Sequence, residues 1–277
     1  MKILVTGAGG KTGQTVIKAL ARRTVEIRPF LRRDIPIPNT IEPIIGDMIN
    51  PADWNRAMAE MQKVYHICPN MHPDEVEIGR LAIAAAREAG VRHFVYHSVL
   101  HPQIEAMPHH WRKMRVEEAL LESGLPFTIL QPTAYMQNIR SNWQSIIQTG
   151  KYMIPYPVTT QISLVDLEDV AEVAAKVLTG VGHVGAIYEL AGTFPLSQVE
   201  TARQLGEVNG RVITAHEIDV QTWRKKAQAA GLPPHVIVTL QKMFRHYAKH
   251  GLAGNPNILH CLLQHTPTSL SDCAQRW

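Results

Sequence analysis

Cysteine is scarce in this chain. The three cysteines among 277 residues, Cys68, Cys261 and Cys273, are far apart and odd in number. That argues against a disulfide framework, and no Cys-x-x-Cys spacing exists for a zinc site. The fourteen histidines supply no His-Glu-x-x-His or comparable cluster, so no metal is expected. Long apolar runs are missing too. The opening Met-Lys-Ile-Leu-Val-Thr-Gly is too short for a secretory segment. The longest uncharged window, residues 123–139, is broken by Pro126 and Pro132 and carries Gln131, Gln137 and Asn138. No membrane span is expected, and the chain reads as cytoplasmic. Charge of one sign is also lacking. The net charge of +4 is spread over short groups such as Arg22-Arg23, Arg32-Arg33 and Arg224-Lys225-Lys226. Such an excess suits an anionic small ligand, and no nucleic acid is expected as a partner.

What is present is an alternation. Hydrophobic residues make up 45% and charged residues 19%, enough for a full core. Short β-type runs at Ile3–Val5, Val25–Leu31, Ile41–Ile45, Val64–Ile67, His93–His97 and Phe127–Leu130 are separated by helical patterns at Thr12–Arg22, Pro51–Met61, Asp74–Ala89 and Pro108–Glu122. A further helix, Asp166–Leu178, and a strand, Ala186–Leu190, follow. This order predicts an α/β fold: a Rossmann-type doubly wound parallel sheet with a smaller, mainly helical C-terminal part. Residues 1–150 are expected to form the nucleotide-binding domain, with later returns to the sheet. Residues 151–277 form the smaller substrate-side region, in which Val220–Ala230 and His235–Lys249 read as helices.

The densest signal is Thr6-Gly7-Ala8-Gly9-Gly10-Lys11-Thr12-Gly13, which leaves a strand and opens a helix. Gly7, Gly10 and Gly13 make a G-x-x-G-x-x-G pattern. One glycine serves the sharp turn, one lets backbone approach a pyrophosphate, and one permits close helix–strand packing. The helix end then offers free N–H groups, with Gly9, Lys11 and Thr12 beside them. Gly10-Lys11-Thr12 mimics the end of a Walker loop, but only two residues separate Gly7 from Gly10 where that loop needs four. A dinucleotide is therefore expected rather than ATP. The second strand ends in Arg32-Arg33, where an acid would favour NAD(H) and a guanidinium accommodates a 2′-phosphate. NADP(H) is the expected cofactor over NAD(H), although Asp34 follows directly.

These residues resemble the NmrA-like, atypical short-chain dehydrogenase/reductase family. The likeness runs from residue 1 to about 180, through the glycine loop, Leu31-Arg32-Arg33, Gly46-Asp47-Met48, Val64-Tyr65-His66-Ile67 and Ala89 to Tyr96. It continues through Val116-Glu117-Glu118, Ser123 to Pro132, Tyr135 to Asn138, and Asp169-Val170-Ala171. The resemblance implies that Asp47 and Met48 sit by the adenine, that Ile67, Cys68 and Pro69 border the ribose and nicotinamide, and that Pro132 lies near the nicotinamide. The wider superfamily uses Tyr-x-x-x-Lys. Here Lys113 stands at the lysine position, with His109 four residues earlier in place of tyrosine. Positions i and i+4 share a helical face, and a neutral histidine can give or take a proton near pH 7. The resemblance gives Lys113 both cofactor contact and a catalytic part, with His109 as its candidate partner. It places Ser98, just past the fifth strand, by a substrate carbonyl. His66 and His101 are further pocket candidates.

The substrate is expected to be a small apolar carbonyl, quinone or enone, since Met71, Met107, Tyr135, Met136, Trp143 and Tyr152 are available for a pocket outside the strand ends. The missing tyrosine keeps a second reading open: a non-catalytic NAD(P)-binding redox sensor that acts through a protein partner.

Overall fold

Strands buried on both faces read as continuous apolar runs, and this chain has several. The computed structural model describes residues 1–277, and its central sheet is built from such runs. The strands are β1 (Lys2–Val5), β2 (Glu26–Leu31), β3 (Ile44–Ile45), β4 (Lys63–His66), β5 (His93–His97) and β6 (Phe127–Pro132), with Ala186–Leu190 as the seventh. Their order across the sheet is β3-β2-β1-β4-β5-β6 and then the seventh strand. Each adjacent pair from β3 to β6 is parallel; Ile3, for example, lies between Ile27 of β2 and Lys63 of β4. Parallel neighbours need crossovers, supplied by the helices α1 (Lys11–Leu20), α2 (Pro51–Met58), α3 (Glu75–Glu88) and α4 (Pro108–Leu121). The doubly wound sheet expected from the alternation is present. The winding reverses between β1 and β4, the place where ligands of such sheets sit.

The third strand is only two residues long where five were expected. Pro36, Pro38 and Pro43 lie in the approach to it, and proline cannot donate to a ladder. The core on one face gathers Leu4, Phe30, Trp54, Ile78, Phe94, Tyr96, Val116 and Ile129. Trp54 is wholly buried, edge-on to Phe30 at 5.1 Å, with its indole N–H donated to the Met48 carbonyl at 2.7 Å.

The chain divides into two compact units, and it passes between them more than once. The first comprises residues 1–103, 109–131 and 170–188; the second comprises 104–108, 132–169 and 189–277. The second unit pairs Lys151–Ile154 in parallel with Thr214–Glu217, and carries helices at Gln198–Asn209, Val220–Ala229 and Pro234–His250. Trp223 meets Phe244 edge-on at 4.6 Å. Its C-terminal end is tied down: Arg276 pairs with buried Asp166 and with Glu168, and Asp169 accepts from the Thr268 N–H at 2.7 Å and its hydroxyl at 2.8 Å. No helix is long and apolar enough to cross a membrane.

Candidate functional site

The turn after β1 is shaped by its glycines. Gly7 has φ +58°, a left-handed conformation, and accepts the Gly10 N–H at 2.9 Å. A Cβ on Gly13 would stand 2.4 Å from the Gly7 oxygen and 2.8 Å from Ala8 Cα, so only glycine lets α1 begin that close to the turn. Gly10 caps α1 without any side-chain hydrogen bond, and no acid lies in the first turn. The first helical bond runs from Gln14 N–H to Gly10 O, which leaves the N–H groups of Lys11, Thr12 and Gly13 at an open, positive helix end. Gly9 and Lys11 are exposed beside it. A ligand carrying paired phosphates finds backbone donors here and no competing carboxylate.

The turn is fixed to β4 through Thr6. Its hydroxyl accepts the Ile67 N–H at 2.9 Å, donates to the Ile67 carbonyl at 3.0 Å, and lies 3.0 Å from His66 Nδ1. A hydroxyl has one hydrogen, so Nδ1 of His66 must be the donor in the last contact, leaving Nε2 bare. That nitrogen is buried and has no partner. Burial first, then the Lys113 charge, pushes the His66 pKa down to about 3. Arg32 and Arg33 are exposed at the end of β2, and no ion pair holds either. Asp47 is exposed and accepts the Ile49 N–H at 3.1 Å, while Met48 is half-buried. Ile67 is half-buried over Gly7, Cys68 is buried and Pro69 exposed. Pro132 closes β6 and is counted with the second unit.

Beyond the ends of β4 and β5 lies a buried polar cluster. The Lys113 ammonium donates to Glu75 Oε1 at 2.6 Å and to the His97 carbonyl at 3.3 Å, and sits 5.5 Å over the Tyr96 ring. Tyr96 also donates to Glu75 Oε1, at 3.4 Å. Glu75 opens α3 and Lys113 is on α4, so these helices must lie close. Gly79, four residues on from Glu75, provides for that: a Cβ there would stand 2.6 Å from both γ carbons of Val116, three residues on from Lys113. A second carboxylate, Glu117, receives the Ser98 hydroxyl and both of its oxygens accept from Gln131 Nε2, at 2.9 and 3.0 Å. Burial raises the Glu117 pKa, against the lowering pull of Ser98, Gln131 and Lys113.

His109 is buried rather than solvent-facing, one helical turn before Lys113. Its Nδ1 has no partner, and burial, followed by the charges of His110, Lys113 and Arg112, pushes its pKa down to about 3. The imidazole is therefore neutral at pH 7. Burial is the principal cause. The hydroxyl hydrogen of Ser98 is already given to Glu117. His101 is half-buried with φ +54°, and Met71 has φ +58°. Both occupy the left-handed region that L-residues rarely adopt, in the loops after β5 and β4. Of the residues expected to line a substrate pocket, Met71 lies in the first unit and Met107, Tyr135, Met136, Trp143 and Tyr152 lie in the second. Met71, Met107 and Met136 are buried.

Sequence reasoning missed Glu75, Glu117, Tyr96 and Thr6. Glu117 had a signal, since it lies four residues beyond Lys113 on the same helical face. Glu75 had none, because an acid in a first helical turn is ordinary.

The model of the NmrA-like family matches residues 1–271. Among curated proteins the chain is 27% identical to an NAD(P)H azoreductase of Xenophilus azovorans, over 91% of this chain and 89% of that one. It is 32% identical to a (4-alkanoyl-5-oxo-2,5-dihydrofuran-3-yl)methyl phosphate reductase of Streptomyces griseus, over 88% and 86%. Among experimental structures, the NADPH complex of the quinone oxidoreductase QOR2 from Escherichia coli superposes with a TM-score of 0.86 at 24% identity, covering 99% of both chains.

Proposed function

The chain belongs to the NmrA-like family, and from that premise we propose that it is an NADPH-dependent reductase of small apolar acceptors: carbonyls, quinones or enones. The observation that carries this reading is the glycine turn, whose geometry leaves three helix N–H groups open and needs glycine at position 13 for α1 to start so close to the turn. The names of the similar proteins point the same way, toward azo, dihydrofuranone and quinone substrates.

On this reading Gly7, Gly9, Gly10 and Gly13, with the N–H groups of Lys11, Thr12 and Gly13, hold the pyrophosphate. Arg32 and Arg33 take the 2′-phosphate, which favours NADP(H) over NAD(H). Asp47 and Met48 border the adenine. Ile67, Cys68, Pro69 and Pro132 border the nicotinamide half. Lys113 holds the nicotinamide ribose. The nicotinamide supplies the hydride, and the protein supplies orientation and access to a proton. His109, neutral at pH 7, is the side chain we assign to proton delivery. Ser98 is a poor donor because its one hydrogen is committed to Glu117.

The test is NADPH oxidation by purified protein against a panel of quinones, enones, aldehydes and azo dyes. Sustained turnover that disappears in Lys113→Ala supports the enzyme. Tight binding of both NADP forms without turnover on any acceptor would replace it with a sensor that signals through a protein partner.

A further inference from the structure

A buried ion pair is stable only when its remaining polar atoms are also satisfied. The Glu75–Lys113 pair falls short by one atom on each side. Glu75 is 1% exposed; Oε1 receives Lys113 and Tyr96, while Oε2 is buried with no partner. An ammonium carries three hydrogens, and Lys113 spends two, on Glu75 Oε1 and the His97 carbonyl. The third is unspent. Neighbouring groups do not fill the gap. The Tyr96 hydrogen is already on Oε1, and the free His66 nitrogen is bare, so it cannot donate to a carboxylate. The pair thus keeps one free acceptor on Glu75 and one free donor on Lys113.

A vicinal diol is the complement of that arrangement, because each hydroxyl can give one hydrogen bond and receive another. We propose that Glu75 is a cofactor-binding residue: its Oε2 accepts a hydroxyl of the nicotinamide ribose while Lys113 gives its third N–H to the neighbouring hydroxyl. In this chain a carboxylate on α3 then completes the grip that lysine begins. This rests on the reading of the glycine turn as an NADPH cradle, and it extends that reading to a residue outside the Lys113 helix.

The experiment measures dissociation constants by calorimetry for four probes: NADPH, its two analogues lacking the 2′- or the 3′-hydroxyl of the nicotinamide ribose, and adenosine 2′,5′-bisphosphate, which has no such ribose. Wild-type protein is expected to bind NADPH about 10- to 100-fold more tightly than at least one deoxy analogue, the worth of a charge-assisted hydrogen bond. Glu75→Gln is expected to lose most of that discrimination while binding the bisphosphate as wild type does. Equal wild-type affinity for NADPH and both deoxy analogues overturns the proposal without recourse to any variant. So does a Glu75→Gln protein that weakens the bisphosphate as much as NADPH, since Glu75 would then act on the fold alone. Wild-type protein that binds neither NADPH nor the bisphosphate overturns the cofactor reading itself, a distinguishable failure.

Discussion

An ammonium taken out of water needs a counter-charge and acceptors, and Lys113 receives its counter-charge from Glu75 and a second acceptor from the His97 carbonyl. Removing one partner strands the other. Lys113→Met is expected to lower stability by about 3–5 kcal/mol because Glu75 becomes an uncompensated buried charge. The double variant Lys113→Met with Glu75→Gln is expected to recover most of that loss. Urea unfolding of the four proteins measures the coupling; a double variant less stable than either single one would show that the two side chains do not act as a pair. At the other end of the proposed site, Arg32→Ala is expected to weaken NADPH by about 10- to 100-fold and NADH little, the size of a lost hydrogen bond to a charged group. Equal losses in titrations with the two nucleotides would remove the 2′-phosphate role. At this scale Lys113 stood out through the family resemblance, at the lysine position of Tyr-x-x-x-Lys. Glu75 did not, because its meaning depends on a partner 38 positions away.

At the scale of elements, the turn between β1 and α1 depends on backbone close to backbone. Gly13→Ala sets a methyl 2.4 Å from a carbonyl oxygen that cannot move without opening the turn. The variant is expected to lose about 1–3 kcal/mol of stability and to bind NADPH at least tenfold more weakly. Gly9→Ala meets side-chain ends alone, the tip of Ile35 at 3.1 Å and Leu31 Cδ2 at 3.6 Å, and is expected to be milder in both respects. Melting temperature and nucleotide affinity of the two variants check this; a harmless Gly13→Ala would mean that the turn is not closed by the contact described. The pattern of glycines was readable because a turn is a local structure. The α3–α4 approach was not: Gly79 reads as an ordinary small residue in a helix until Val116 is seen against it.

For the whole molecule, burial of titratable groups sets the response to acid. His66, His97 and His109 are pushed down to about 3 and His93 to about 4, in each case chiefly by burial. In the unfolded chain they take up a proton near 6.5. Between those values the unfolded state binds more protons, so this contribution is present above pH 6.5 and is lost as pH falls toward 3. Glu117 and Asp169, raised by burial, act in the opposite sense. With these four histidines, and His183 lowered in the same direction, against two carboxyls, the melting temperature is expected to fall by about 5 °C or more from pH 7.5 to 5.5. A flat or rising melting curve over that range, followed by calorimetry, would mean that the carboxyls dominate.

The sequence by itself determined the order of strands and helices and the dinucleotide-type turn, because each is written in neighbouring residues or in a local repeat of apolar positions. Only the tertiary structure decided that His109 is buried and neutral, that Ser98 serves Glu117, and that Glu75 faces Lys113. Those outcomes depend on how closely separate elements pack, and packing distance is set by side chains that meet only after the chain has folded.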